Sequence, residues 1–247
     1  MEADNDTRIY KKNVDIDVDA IRSFWNKKAQ KDSSLKAVLL GADFGENSGI
    51  IRNERESNIL KGFIKNPKTV LDIGCGIGRW AYNLKSDFEI YHGIDFSEEF
   101  IKNATLNFKD FPNIKFFNMS VIDIDIKSLL ASYNLIIITG VAMYINDNEI
   151  ERLFYYLNKL SDYATTIYFQ ESISILPYRL TLKDFNSIEL QSKYNAIYRT
   201  TEEYESYFSK YLVNYQIDDE KTGLLLDEET GARKETNARY WFLRRII

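Results

Sequence analysis

Apolar and polar positions along the chain fall into two alternating rhythms. Short, near-continuous apolar runs occur at residues 70–73, 90–94, 114–118, 135–139 and 165–170. Runs of that length bounded by polar turns read as strands, and the Leu-Ile-Ile-Ile-Thr run at 135–139 marks a central parallel strand buried on both faces. Between them, apolar residues recur three and four apart, as on helices with one buried side. The pattern predicts helices beginning around Trp80, Ala81 and Leu84, over 98–107 with Ser97 as cap, and over 149–160, with a short helix or loop at 123–133. Upstream it predicts a helix over 20–31, capped by Asp17 or Asp19, with Ile21, Phe24, Trp25 and Lys28 on one side, and another over 53–64. Residues 1–16 read as mostly polar and loosely held, and 37–51 as a loop or lid. The strand–helix rhythm breaks at 173–200, which reads as an insertion. It resumes with a helix over 201–210 and strands at 224–226 and 240–245.

Alternating strands and helices of this kind build an α/β sheet. The 247 residues suffice for one large α/β domain, or a domain with a cap. The formal net charge of −5 comes without a basic stripe, and proteins that grip a nucleic-acid backbone need clustered Lys and Arg, so no nucleic-acid partner is expected. Cys75 is the single cysteine, so no internal disulfide can form. The opening Met-Glu-Ala-Asp-Asn-Asp-Thr is unlike a signal peptide, and a cytoplasmic location is expected. No apolar run approaches the length of about 18 residues that spans a bilayer.

The candidate chemistry gathers at residues 70–80, Val-Leu-Asp-Ile-Gly-Cys-Gly-Ile-Gly-Arg-Trp. Gly74, Gly76 and Gly78 supply a tight turn in which no Cβ blocks a ligand lying against the backbone. Asp95 closes the next apolar run, and an acceptor-only carboxylate there can take two hydrogen bonds from the cis hydroxyls of a ribose.

These residues resemble the first motif of the class I S-adenosylmethionine-dependent methyltransferases, an acidic residue followed by Gly-x-Gly-x-Gly, here Asp72 with Gly74, Gly76 and Gly78. A dehydrogenase fingerprint would carry glycine where Arg79 stands. The resemblance covers residues 67–247. It implies a Rossmann-like, seven-stranded, mostly parallel sheet with an antiparallel last strand and a ligand at the carboxyl ends of the strands. Residues 1–66 would then be a helical cover of the site, and 173–200 a substrate-binding insertion. S-adenosyl-L-methionine is the implied donor and S-adenosyl-L-homocysteine the implied product.

On that resemblance, the backbone of Gly74, Gly76 and Gly78 suits the donor's amino-acid end, and Asp72 orders the turn or meets the ammonium indirectly. Asp95 takes the ribose. Phe96 lies on the adenine or is a core residue, and Ser120 and Val121 border the adenine edge. Gly140, Val141 and Met143 line the methionine portion. Arg52 and Arg55 either reach the donor carboxylate as a fork or form surface salt bridges.

Tyr144 and Glu171 are the candidate catalytic and substrate-contacting residues. Tyr144 stands beside the sulfonium, donates a hydrogen bond to the acceptor, or simply caps the strand, and Glu171 serves in substrate binding or as the acceptor of a proton. Either could act as base toward a sugar hydroxyl. Tyr198 and Arg199 are candidates for the acceptor wall. Arg199 could take a phosphate or hydroxyl, or instead pair with Glu202 or Glu203. His92, inside a strand, reads as structural, and no His, Cys or paired-carboxylate spacing points to a metal. The acidic, Tyr-rich insertion favours a hydrophilic small-molecule acceptor. The first reading is O-methylation of a sugar or nucleotide-linked sugar in surface-polysaccharide biosynthesis; the alternative is N-methylation of an amino sugar or small amine. A catalytically silent donor-binding module and an NAD-dependent oxidoreductase are the readings from other classes.

Overall fold

The computed structural model describes residues 7–34, 37–38, 48–84, 87–188, 190–227 and 233–246. In chain order the elements are β1 (Arg8–Tyr10), α1 (Val18–Lys31), α2 (Ser48–Phe63), β2 (Thr69–Ile73), α3 (Arg79–Asn83), β3 (Ile90–Asp95), α4 (Glu98–Asn107), β4 (Ile114–Asn118), β5 (Leu135–Thr139), α5 (Ile150–Lys159), β6 (Thr166–Ser174), β7 (Leu180–Ser187), β8 (Ser192–Tyr198), α6 (Thr201–Tyr211), β9 (Tyr215–Ile217), β10 (Gly223–Leu224) and β11 (Thr236–Arg245). Local chemistry sets several boundaries. The Asp17 side chain accepts the Ala20 amide at 2.9 Å and starts α1. Ser97 accepts the Phe100 amide at the start of α4, and Thr200 with Glu203 forms a reciprocal capping box on α6.

The main sheet runs β10-β11-β6-β5-β2-β3-β4, with β9 also pairing with β11. Strands β2 to β6 are parallel, and β11 returns antiparallel between β6 and β9. This is the Rossmann-like α/β fold the sequence implies, with its mostly parallel sheet and antiparallel end. Alternation along each strand divides the core between two faces. Leu71, Ile73, Ile136, Ile138 and Phe169 pack with Phe154 of α5 and Phe208 of α6. Val70, Leu135, Ile137 and Tyr168 pack on the other face with Leu60 of α2 and Trp80 of α3. Because the helices after β2 and after β5 leave toward opposite faces, a crevice opens at the carboxyl ends of those neighbouring strands.

The break in rhythm at 173–200 proves to be partly strand. β6 runs on to Ser174, and β7 and β8 form an antiparallel hairpin. β1 pairs with β7, Arg8 opposite Leu182 and Tyr10 opposite Leu180, making a second, three-stranded sheet. Ile16 is buried and exchanges two hydrogen bonds with the Asn146 side chain, at 2.9 and 3.1 Å. The described part of 1–16 is therefore held by long-range pairing that its local polarity hides. α2 begins at Ser48, so Gly49–Ile51 is helical rather than lid; residues 39–47 of that expected loop lie outside the described residues. Apolar contacts join Trp25 of α1, Phe100 of α4 and Ile197 of β8, so α1 lies across the crevice between the main and small sheets.

Candidate active site

Gly74, Gly76 and Gly78 turn the chain between β2 and α3, all with positive φ (74°, 53° and 85°). The amides of Gly74 and Cys75 both donate to the Ile94 carbonyl, at 2.8 and 3.0 Å, tying the turn to β3. From there the Gly76 amide donates to Asp95 Oδ2 at 3.0 Å, and the Ser97 amide to Asp95 Oδ1 at 2.8 Å. Burial pushes the Asp95 pKa up to about 6 against the pull of those two amides. A carboxylate has about four acceptor positions, so Asp95 retains acceptor capacity while its rotamer is fixed.

Gly74, Gly76 and Asp95 lie on the wall of a cavity of about 310 Å³. Phe96, Ser120, Val121, Gly140, Tyr144 and Tyr198 line the same cavity, which thus brings together most of the residues named from sequence. Phe96 is half-buried, with the Arg22 guanidinium 5.7 Å from its ring centroid. Asp72 and Gly78 stand behind the turn rather than on the wall. Asp72 accepts a hydrogen bond from Tyr91, its Oδ1 is buried without a partner, and burial lifts its pKa to about 7. At Gly78 a Cβ would come within 2.8 Å of Phe108 and 2.9 Å of Phe116, so its role is close packing.

Residues 140–147 form a strap over the end of β5. Gly140 has φ 66°, and a Cβ there would meet open space. Val141, Met143 and Tyr144 face the cavity. The hydroxyl of Tyr144 meets that of Tyr194 at 2.6 Å, and its ring meets Trp25 edge-on at 5.8 Å. Tyr194 in turn contacts Phe24 at 5.7 Å. Burial raises the pKa of both phenols well above the usual tyrosine value.

Two expected site residues are placed differently. Glu171 lies within β6, fully buried, and is off the cavity wall. Its Oε1 accepts the amides of Val141 and Ala142, each at 2.7 Å, and its Oε2 accepts that of Met143 at 3.3 Å. Burial raises its pKa to about 7, opposed by these amides. Arg199, also fully buried, donates to the carbonyls of Ala142 at 2.8 Å and Ile145 at 2.7 Å, and to Asp147 at 2.6 and 3.0 Å. It is therefore off the cavity wall, and its hydrogen-bond partners are the strap and Asp147 rather than Glu202 or Glu203. Glu203 pairs with Arg179, which also holds Asp147.

Of the arginines on α2, Arg52 lines the cavity and Arg55 pairs with Asp227 at 2.5 Å. Arg79 also reaches the wall; it binds Glu56 at 2.7 Å, Asn53 at 3.2 Å and Thr139 at 3.1 Å, fastening α2 to the sheet. His92 is buried, with Nδ1 2.7 Å from the Tyr133 hydroxyl. Asp123, exposed, pairs with Arg152. Among the described residues no group of three or more His, Cys, Asp or Glu is arranged to hold a metal ion, and no helix is long and apolar enough to cross a membrane.

Sequence reasoning missed the far wall of the cavity, including Leu182, Phe185, Thr236 and Asn237. The alternation of β7 could have flagged Leu182, whereas Thr236 and Asn237 carry no local signal. Asp147 was missed too, since nothing in sequence links it to partners 32 and 52 residues away.

Residues 70–160 match the family model of the methyltransferase domain. Phosphoethanolamine N-methyltransferase 1 of Triticum aestivum is 28% identical over 135 residues, covering 53% of this chain and 26% of that protein. The chain thus spans about a quarter of the length of that curated relative. A SAM-dependent methyltransferase of Leishmania major superposes with TM-score 0.69 at 17% identity, over 92% of this chain and 82% of the other. N-methyltransferase NodS of Bradyrhizobium japonicum, in complex with S-adenosyl-L-homocysteine, superposes with TM-score 0.62 at 11% identity, over 92% and 98%. The fold is that of the class I S-adenosylmethionine-dependent methyltransferases. Residues 70–160, in the middle of the chain, carry the sequence pattern of the methyltransferase domain.

Proposed function

We propose that this protein transfers a methyl group from S-adenosyl-L-methionine to the nitrogen of a small polar amine. One observation carries the reading. A single cavity joins the Gly74–Asp95 end, built for a nucleoside, to the Tyr144, Tyr194 and Tyr198 end, built for a polar acceptor. At the first end, Asp95 retains acceptor capacity for ribose hydroxyls. The Gly76 amide is given to Asp95 rather than to a ligand, and a Cβ at Gly76 would lie 2.6 Å from Val38 Cγ1, so glycine there keeps the turn closely packed on the cavity wall. Phe96, Ser120 and Val121 would border the base. Gly140, Val141 and Met143 would lie along the methionine portion, with Arg52 on the same cavity wall. The donor, when bound, supplies an electrophilic methyl on a sulfonium.

The chain's part is then alignment, and fixing a nucleophile in line can be worth roughly 7–11 kcal/mol. Sequence reasoning put a sugar hydroxyl first, and the comparisons favour its alternative, since two of the proteins above are named as N-methyltransferases. Physical argument agrees. A hydroxyl acceptor needs a base within hydrogen-bond reach. Of the two candidates, Glu171 is closed off under the strap, and the Tyr144 hydroxyl is shared with Tyr194 and held protonated by burial, which makes it a poor base. A neutral amine needs none, and tyrosine ring faces and hydroxyls suit an amine in either protonation state. Residues 8–31 act as a cover on the acceptor side in this reading, and the hairpin forms the acceptor wall.

The test is calorimetry with S-adenosylhomocysteine, followed by transfer of labelled methyl to paired acceptors: amino sugars and ethanolamines against the matching hydroxyl compounds. Label on nitrogen is expected. Label on oxygen alone, or homocysteine-product binding without transfer to any acceptor, would overturn the reading.

A further inference from the structure

Glu171 and Arg199 close on the same segment from opposite sides. The carboxylate takes three successive strap amides, those of Val141, Ala142 and Met143, while the guanidinium takes the carbonyls of Ala142 and Ile145 and holds Asp147 at the strap's end. Neither side chain retains measurable exposure. A buried acid and a buried arginine are costly, and here each meets peptide groups of a single 3-10 turn over Ala142–Tyr144. Glu171 takes amides at its start, and Arg199 takes the Ile145 carbonyl and shares that of Ala142 with the Ile145 amide, 3.2 Å away.

The two residues come from different layers. Glu171 belongs to the main sheet, while Arg199 follows β8 of the hairpin. The sheets also meet directly, as the Ser174 amide donates to the Arg199 carbonyl at 2.9 Å. Tyr144 is carried on the clamped turn and touches the hairpin through Tyr194.

We propose that Glu171 and Arg199 are positioning residues that together set the strap, and through it the placement of Tyr144 against Tyr194 at the acceptor end of the cavity. The clamp explains why charged residues stand at both places without reaching a ligand, and it makes acceptor fit depend on the register between the two sheets. The consequence for turnover rests on the methyl-transfer reading; the geometric claim does not.

The test uses the full chain with 3-fluorotyrosine at position 144, in wild type, Glu171→Gln and Arg199→Lys. Glutamine offers one acceptor oxygen and opposes the remaining amides with its own donors. Lysine cannot span two carbonyls and Asp147 at once. A shifted or broadened 19F resonance is expected in each variant, with acceptor kcat/KM lowered about tenfold. Because Val141 and Met143 of the strap face the cavity where the donor's methionine portion would lie, S-adenosylhomocysteine affinity should fall as well but less, by about threefold. Should either buried variant fail to fold, Asp147→Asn keeps the test open. It loosens one end of the strap from a partly exposed position, at 24% side-chain exposure. An unmoved resonance in every folded variant would overturn the proposal, as would equal losses of donor and acceptor affinity. If wild type methylates no acceptor, the functional reading fails alone, and the resonance still decides the clamp.

Discussion

The hydroxyls of Tyr144 and Tyr194 meet at 2.6 Å across the gap between the strap and the hairpin, one ring on the end of the main sheet and the other on β8. Removing one partner of such a pair leaves the other hydroxyl short of a bond in a mostly buried place, at a cost of about 1–3 kcal/mol. Tyr194→Phe is therefore expected to lower the melting temperature modestly and to raise the acceptor KM several-fold. Calorimetric affinity for S-adenosylhomocysteine should not move, because Tyr194 stands at the other end of the cavity. An unchanged KM would remove the pair from the acceptor wall.

Asp95 offers the sharper probe of the donor end. Its two oxygens are already held by the Gly76 and Ser97 amides, so Asp95→Ala removes both the proposed ribose contact and the brace that fixes the turn. S-adenosylhomocysteine affinity is expected to fall at least a hundredfold. Asp95→Asn keeps the shape but presents an NH2 to one of two amide donors, so it should lose at least tenfold. Titration calorimetry on both variants checks the order, and an alanine variant that binds as well as wild type would sink the nucleoside assignment.

Among the glycines, Gly74 and Gly62 should respond in opposite directions. Gly74 has φ 74°, and an added Cβ would lie 2.2 Å from Val141 Cγ2, so Gly74→Ala strains the backbone and displaces the strap. A loss of about 2–5 kcal/mol of stability is expected, with donor affinity lost alongside. Gly62 is exposed on α2, with nothing within 4 Å of an added Cβ. Gly62→Ala should stabilise by about 0.5–1 kcal/mol. Chemical denaturation of the pair measures both.

These contrasts show which parts of the site were legible in the sequence. Gly74, Gly76 and Asp95 announce themselves because strand, turn and strand-end acid are consecutive, local features. Tyr144, just past an apolar run, does so too, while Ser120 and Val121 come only with the family resemblance. Glu171 and Arg199 look equally functional in sequence, since a charged residue at or just beyond a strand end usually faces solvent or a ligand. Their burial comes from contacts 28 to 57 residues away that no periodicity encodes. The small sheet was hidden for the same reason. β1 is three residues long, Arg-Ile-Tyr in an otherwise polar stretch, and only the hairpin it pairs with makes it a strand.

The buried acids also set a pH dependence of stability whose sign can be worked out. Asp72 titrates at about 7 in the fold against 3.8 ordinarily, because burial disfavours its charge more than the Tyr91 hydroxyl and Arg79 favour it. Glu171, at about 7, and Asp95, at about 6, shift the same way and also chiefly by burial. A raised pKa means that the folded state holds its proton where the unfolded chain has lost it. The stabilisation is then fully present below the ordinary carboxylate value and is lost as pH rises through the folded one. Asp147 shifts downward: burial opposes its charge, but Arg179 and Arg199 prevail, so its contribution changes only at more acidic pH. Between about pH 4 and 7, then, rising pH should progressively destabilise the ligand-free protein through these groups, with the slope levelling off above. Asp72→Asn keeps an acceptor for Tyr91 and cannot ionise, so its melting temperature should fall less steeply over that range, with a residual slope from Glu171 and Asp95. Thermal unfolding of both proteins in matched buffers is the check, and parallel slopes would show that Asp72 does not titrate in this window.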